Sequence, residues 1–224
     1  MKYFTPDFLQ FFKDLAAHND RDWFQANKKR YETSVKKPFE IFVTDLIKEL
    51  AKTDKALNVK PSPVIFRINR DIRFSKDKSP YKLHMSAAVS SDGRKGDASA
   101  PGIYVELGPE KFAMAGGIYT LEKDLLQNIR QAIARDTKSF MKALDDKTFR
   151  KMWGDIQGEK NKVLPPELKA AAEKCPYIYN KQFYYWVELD SKLILGEKLL
   201  TTVLEYNKAA APMKSFLEKA IGKK

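Results

Sequence analysis

The chain has 224 residues, 43% of them hydrophobic and 12% aromatic, which is ample apolar surface for a globular core. No unbroken apolar run approaches the roughly 20 residues of a membrane-spanning helix, and MKYFTPDFLQFFKDL is interrupted by Gln10 and Lys13 with no small-residue cleavage site after it, so neither a membrane span nor a secretory leader is expected. A single cysteine excludes an internal disulfide and points to the cytoplasm, while the net charge of +12 is spread evenly, Lys and Arg exceeding Asp and Glu by three in each of residues 1–60, 61–120, 121–180 and 181–224, unlike the basic arm of a dedicated nucleic-acid binder.

In chain order, Thr5 is placed to cap a helix opening at Pro6, with Phe8, Phe11, Phe12 and Leu15 on one face. HNDRDWFQANKKRYE restarts with Asn19 as the expected cap, Asp22 in the first turn, and Phe24, Asn27 and Tyr31 along one side. Pro38 opens a third helix carrying the cleanest stripe in the chain, Phe39, Phe42, Val43, Leu46, Ile47 and Leu50. Residues 1–53 therefore read as helical. PSPVIFRINR, LHMSAAVSS, GIYVELG and KFAMAGGIY then read as short strands of an antiparallel meander, mainly within 63–119, with a tight hairpin at Gly108, Pro109 and Glu110 and a longer loop at SDGRKGDASAPG. After Thr120 the helical period returns through Leu125, Leu126, Ile129, Ala132 and Ile133, QFYYWVEL reads as a fifth strand, and Pro212 breaks or kinks the final helix. Helices, then strands, then helices with one late strand predict an α+β fold. The expectation is one domain over 1–224 in which a sheet of about five antiparallel strands packs against N-terminal and C-terminal helices.

The densest chemistry is FRINRDIRFSKDKSPYK, residues 66–82, where Arg67, Arg70, Arg73, Lys76, Lys78 and Lys82 face only Asp71 and Asp77. Extended, this stretch places Phe66, Ile68, Ile72 and Phe74 on the same face as Arg70. An arginine in that row must leave the strand or find a partner, which a strand ending near Asn69 and passing into a loop allows. Two readings follow. In one, Asp71 and Asp77 pair with two of the cations as a structural network, and the rest lie in solvent or cover apolar surface with their stems. In the other, two carboxylates cannot neutralise six cations, and the remaining charge of +4 on a strand-loop segment binds phosphate or carboxylate oxygens, a task that suits the planar fork of arginine. Ser79 and Tyr81 add hydroxyl donors.

The segment RINRDIRFSKDKSPY resembles the signature of a family of conserved hypothetical bacterial proteins, domain of unknown function 2461, which share Arg-x-x-Arg-Asp-x-Arg-Phe followed by Asp-Lys-x-x-Tyr. The matching positions here are Arg67, Arg70, Asp71, Arg73, Phe74, Asp77, Lys78 and Tyr81. NDRDWFQANKKRYE and GIYVELGPEKFAMAGGIY resemble other characteristic segments of the family, so the resemblance covers most of the chain; it implies no particular activity, cofactor or catalytic residue.

Other candidates are weaker. Gly116 and Gly117, between a strand and a helix, could turn backbone N–H groups toward an anion, although close backbone packing is favoured. DGRKGD lacks the spacing of a phosphate-binding loop. His18, His84 and Cys175 are not at metal-ligand spacing, so no metal site is expected, and Cys175 reads as a packing residue. Asp71, Asp77 and Glu106 are candidates for a general base or magnesium ligand. Trp23, Phe24, Tyr184, Tyr185 and Trp186 are stacking platforms or, more commonly at such spacing, core. The leading expectation is a cytoplasmic protein that binds an anionic, phosphate-bearing small molecule through Arg67, Arg70, Arg73 and Lys78, with Tyr81 assisting and Asp71 orienting the arginines. The alternatives are an enzyme acting on a phosphorylated or nucleotide-like substrate and a structural protein with an internal ion-pair network. Nucleic acid is not the favoured partner, and no membrane partner is expected.

Overall fold

A computed structural model describes residues 1–91 and 100–222; the loop sequence DGRKGDAS, 92–99, lies outside the described residues. The elements in order are α1 (Pro6–Ala17), α2 (Arg21–Ala26), α3 (Lys28–Arg30), a π-helical segment (Tyr31–Lys36), α4 (Lys37–Ala51), α5 (Pro61–Val64), β1 (Met85–Val89), β2 (Gly102–Leu107) and β3 (Phe112–Ile118). They are followed by α6 (Lys123–Arg135), α7 (Thr137–Leu144), α8 (Lys147–Trp153), α9 (Pro166–Lys174), a 3-10 turn (Pro176–Tyr179), β4 (Phe183–Leu189), a second 3-10 turn (Ser191–Leu195), α10 (Leu199–Ala209) and α11 (Ala211–Ala220). The strands form an antiparallel sheet in the order β1-β2-β3-β4, so the fold is α+β with four strands among the described residues instead of the five expected. No described helix is long and apolar enough to cross a membrane.

The missing strand is PSPVIFRINR. Pro61 and Pro63 have no N–H to give a ladder and their φ suits a helix start, so Pro61–Val64 forms a helical turn. The residues after it pair only through isolated antiparallel bridges, Ile65 with Ala87 and Asn69 with Tyr81. The second correction concerns α2. Its cap is Asp20, whose carboxylate accepts the Trp23 N–H at 2.8 Å, the reach an N-cap side chain needs. Asn19, one residue outside, does something else, described below. Thr5 takes the cap position of α1 with extended backbone but makes no side-chain capping bond. The helix break near Pro212 falls at Ala210, between α10 and α11.

The chain folds as two compact units. The first comprises Met1–Val89, Tyr104–Met114 and Glu188–Leu204. Its core is the predicted stripe of α1, Phe8, Phe11, Phe12 and Leu15, buried together with Phe39, Phe42, Val43 and Leu46 of α4. Edge-to-face rings recur within it, Phe8 with Phe12 at 5.4 Å and Phe11 with Phe12 at 5.6 Å, a geometry favoured by the ring quadrupole. Arg30 fastens the π-helical region to α1: its Nε and Nη2 donate to Asp7 Oδ1 at 2.9 and 2.6 Å, and its Nη1 donates to Asp14 Oδ2 at 2.8 Å. These bonds hold the carboxyl groups of Asp7 and Asp14 below the ordinary value of 3.8. A depressed carboxylate pKa stabilises the fold above its unfolded value and ceases to do so as pH falls through the folded one. Arg30→Gln is therefore expected to lower stability by about 1 kcal/mol at pH 7, a small value because the pairs are partly exposed and screened, and its deficit against wild type should shrink below about pH 4 in urea melts. A deficit that stays constant to pH 2 would exclude the ion pairs as its source.

The second unit comprises Ser90–Ile103, Ala115–Val187 and Glu205–Lys224. Ile129 and Ile133 of α6, Phe140 and Leu144 of α7, Phe149 and Trp153 of α8, and Met213 and Leu217 of α11 are buried in it, and Trp153 Nε1 donates to Tyr206 O at 2.9 Å. Gly116 and Gly117 serve close packing here. A Cβ on Gly116 would lie 2.2 Å from the Tyr185 ring, and Gly117, at φ +82°, lies against the Phe183 carbonyl. Cys175 is buried, and burial raises its thiol pKa, the opposite of what a nucleophile needs.

Candidate functional site

The arginine-rich segment forms a finger in the first unit. Its base is a short antiparallel ribbon: Phe66 N–H donates to Ser86 O at 2.9 Å, Lys82 N–H to Ile68 O at 2.8 Å and Arg70 N–H to Pro80 O at 2.8 Å. Beyond Asn69 and Tyr81 the chain opens into the loop 70–80, where the sequence places Arg70 outside the apolar alternation. The finger is anchored from the helical side. Asn19 Nδ2 donates to Tyr81 O at 3.0 Å while its Oδ1 accepts the Tyr81 N–H at 3.1 Å, so one amide occupies both backbone polar groups of that residue. The Tyr81 ring, 5% exposed, stacks on Phe24 with centroids 4.1 Å apart and planes 17° apart. Buried as it is, Tyr81 contributes as an anchor of the finger.

Within the loop both acids are committed to arginines. Arg73 forks onto Asp71, Nε to Oδ1 at 3.0 Å and Nη2 to Oδ2 at 2.7 Å. The fork and the Arg73 N–H hold the Asp71 carboxyl at about 2. Arg70 Nη1 bonds Asp77 Oδ2 and donates to Ser79 O at 3.2 Å, while its Nη2 donates to Ser75 Oγ at 3.4 Å. Asp77 is depressed further, first by the Ser79 hydroxyl and N–H and then by Arg70. Lys78 Nζ donates to Ile72 O at 3.0 Å. Arg70, Asp77, Ser79 and Lys78 thus close the loop on itself. Arg67 and Lys76 are exposed and make no ion pair within 4 Å among the described residues, Arg67 being near enough to Asp71 to add to the lowering of its pKa, and the Arg73 side chain is 76% exposed despite its fork. Phe74, in the apolar row of the sequence, is 96% exposed at the loop, with the Arg73 guanidinium 5.9 Å from its ring centre. The alternation therefore fails at Phe74 because the strand ends before it.

Glu106 is not in the finger. It lies on β2 beside His84 and Tyr104: the Tyr104 hydroxyl donates to Glu106 Oε2 at 2.8 Å, and His84 Nε2 is 3.6 Å from the same oxygen. Of the five aromatic candidates, Phe24 and Tyr185 are buried in the core, while Trp23, 5.6 Å from Phe11, Tyr184, 5.2 Å from Tyr119, and Trp186 are half-buried. No group of three or more His, Cys, Asp or Glu residues among those described could hold a metal ion.

Two clusters escape sequence reasoning. One is the group of His84 with Tyr104 and Glu106: Glu106 is a candidate by itself and Tyr104 is two residues from it on β2, but His84 reaches them only through tertiary structure. The other is Arg130 on α6, 4% exposed, whose Nη2 donates to Asn180 O at 2.9 Å and whose Nε has no partner. Burial lowers its pKa, and no carboxylate faces it among the described residues.

A family model described as conserved hypothetical protein (DUF2461) matches residues 7–216. No curated protein matches the chain, and no solved structure matches it.

Proposed function

The chain belongs to the DUF2461 family of conserved hypothetical proteins, a description that names no activity, and from the finger we propose that it binds a phosphate-bearing anion there. One observation carries the reading: both acids of the loop are taken by Arg70 and Arg73, while Arg67 and Lys76 are exposed with no ion pair among the described residues and the Arg73 side chain is itself 76% exposed. Arg67, Arg73, Lys76 and the Nζ–H groups that Lys78 does not give to Ile72 O supply charge and donors for phosphate oxygens, Arg70 shapes the loop, Asp71 orients Arg73, and Tyr81 assists by anchoring the base. Phe74 adds an exposed ring next to the cations, which favours a ligand with a planar group attached to its phosphate, such as a nucleotide, over inorganic phosphate alone.

The ion-pair reading of the same residues is favoured for Arg70, whose bonds to Asp77, Ser75 and Ser79 are all internal to the loop. It does not account for Arg67 and Lys76. Thermal melts of the full chain against inorganic phosphate, nucleoside monophosphates and chloride at matched ionic strength test the two. A ligand at a hundredfold its Kd stabilises by about 2.7 kcal/mol, so a rise of several degrees with nucleotide, absent with chloride and lost in the Arg67→Ala, Arg73→Ala double variant, is the expected result. An equal rise in wild type and double variant would remove the finger from the site.

A further inference from the structure

We propose that the finger binds single-stranded nucleic acid, with a base stacked on Phe74 and the adjoining backbone phosphates held by Arg67, Arg73 and Lys76. The ligand is then a polymer in place of the free nucleotide of the reading above, on which this inference rests. The charges and the ring form one connected patch. Arg67 acts on Asp71 from the ribbon, Arg73 forks onto the same carboxylate, and the Arg73 guanidinium lies 5.9 Å from the centre of the Phe74 ring. One acid thus stands between two arginines, and an aromatic ring adjoins the second of them. Lys76 follows two residues after Phe74, exposed and without an ion pair among the described residues.

Exposure decides the kind of ligand. Pockets for small molecules are concave and cover most of the molecule they hold, whereas Phe74 is 96% and the Arg73 side chain 76% exposed in the loop. Such a surface covers little of a mononucleotide, so affinity there has to come from several phosphates along a chain. The ring requires the bases to be unpaired. In a duplex their faces are stacked on one another, while in a single strand each base offers a free face to an aromatic side chain. Charge complementarity points the same way, with six cations against two acids between residues 67 and 82 and a net charge of +12 overall. The sequence alone disfavours this partner, because its charge is spread evenly and Phe74 falls in an apolar row; the folded loop puts that ring in solvent next to an arginine. A lipid surface fits less well. Adsorption to a bilayer grows with the apolar area inserted, and the other apolar residues of loop 70–80, Ile72 and Pro80, are half-buried, while the side chains of Asp71 and Asp77 are 48% and 61% exposed.

The test is fluorescence anisotropy of labelled single strands of about 12 nucleotides, DNA and RNA, with the full chain over a series of salt concentrations. The same sequence as a duplex, a nucleoside monophosphate and phosphatidylserine vesicles are measured in parallel. Either single strand should bind more tightly than the duplex and more weakly as salt rises. Phe74→Ala should weaken binding about five- to a hundredfold, the worth of one stacked base, and leave the salt slope unchanged. The Arg67→Ala, Lys76→Ala double variant should weaken it and flatten the slope by about 1.4, because each phosphate contact on a single strand contributes about 0.7. All three side chains are exposed, so both variants should melt as wild type does. Equal affinity for duplex and single strand, an affinity indifferent to Phe74→Ala, or a slope indifferent to the double variant overturns the inference. Vesicles that bind through Phe74 while single strands do not bind overturn it in favour of a membrane surface. A single strand bound no more tightly than a mononucleotide that still raises the melting temperature through Arg67 and Arg73 overturns it and leaves the free-nucleotide reading standing. Strand and mononucleotide both indifferent to Arg67→Ala, Arg73→Ala remove the finger from both.

Discussion

Gly117→Ala is expected to cost about 4 kcal/mol or more of stability, a large part of the 5–15 kcal/mol of a typical domain. Two effects add at this position. The backbone there is left-handed, φ +82°, which costs a residue with a Cβ about 1–2 kcal/mol. The new Cβ would also lie 2.2 Å from the Phe183 carbonyl oxygen and 3.0 Å from the Tyr184 Cα, both backbone atoms of β4, so relief requires moving a strand. Gly116→Ala meets a side chain instead, the Tyr185 ring at 2.2 Å, but that ring is buried, with Phe149 at 5.0 Å and Trp153 at 4.8 Å edge-on, and has little room to yield. Overpacking of this kind costs about 1–3 kcal/mol. Urea denaturation should rank the variants Gly117→Ala, Gly116→Ala and wild type in order of rising stability. A loss under about 1 kcal/mol at Gly117 would mean that β3 and β4 do not approach as described.

Tyr81→Ala should destabilise the chain by about 3 kcal/mol and abolish the nucleotide-dependent rise in melting temperature. The estimate follows from removing a buried aromatic ring, here one that stacks on Phe24 of α2. The Asn19 clamp, made to the Tyr81 backbone, stays, but without the ring the ribbon that fixes Arg67 and the loop above it loses its packing contact with α2. Tyr81→Phe keeps the stack, and its cost should be under about 1 kcal/mol, with the ligand response retained. The two variants together separate anchoring from direct contact: a response lost in Tyr81→Phe at full stability would make the hydroxyl a ligand donor.

The stripes of α1 and α4 were legible because helix periodicity is local: Phe8, Phe11, Phe12 and Leu15, then Phe39 through Leu50, recur at three and four residue steps and are the residues found buried. The four strands and the break near Pro212 were legible for the same reason, each resting on alternation or on a proline within a few positions. The N-terminus of α2 was misplaced by one residue because Asn19 and Asp20 are both good caps, and the choice fell to a contact with Tyr81, 62 residues away. The strand expected at PSPVIFRINR failed because apolar alternation does not supply ladder partners, and this stretch has only two bridged positions.

The sequence by itself determined the α+β class, the helical faces and the excess of cations over acids between residues 67 and 82, since periodicity and charge count need no knowledge of partners. Which cations are neutralised was decided by tertiary structure: the loop folds so that Asp77 meets Arg70 and Asp71 meets Arg73, while Arg67 and Lys76 stay exposed without an ion pair among the described residues. The meeting of His84 with Glu106 was likewise decided there, because strand register brings together residues that no local pattern relates. Burial then lowers the pKa of that histidine, against the pull of Glu106, and burial is a property of the packed chain alone.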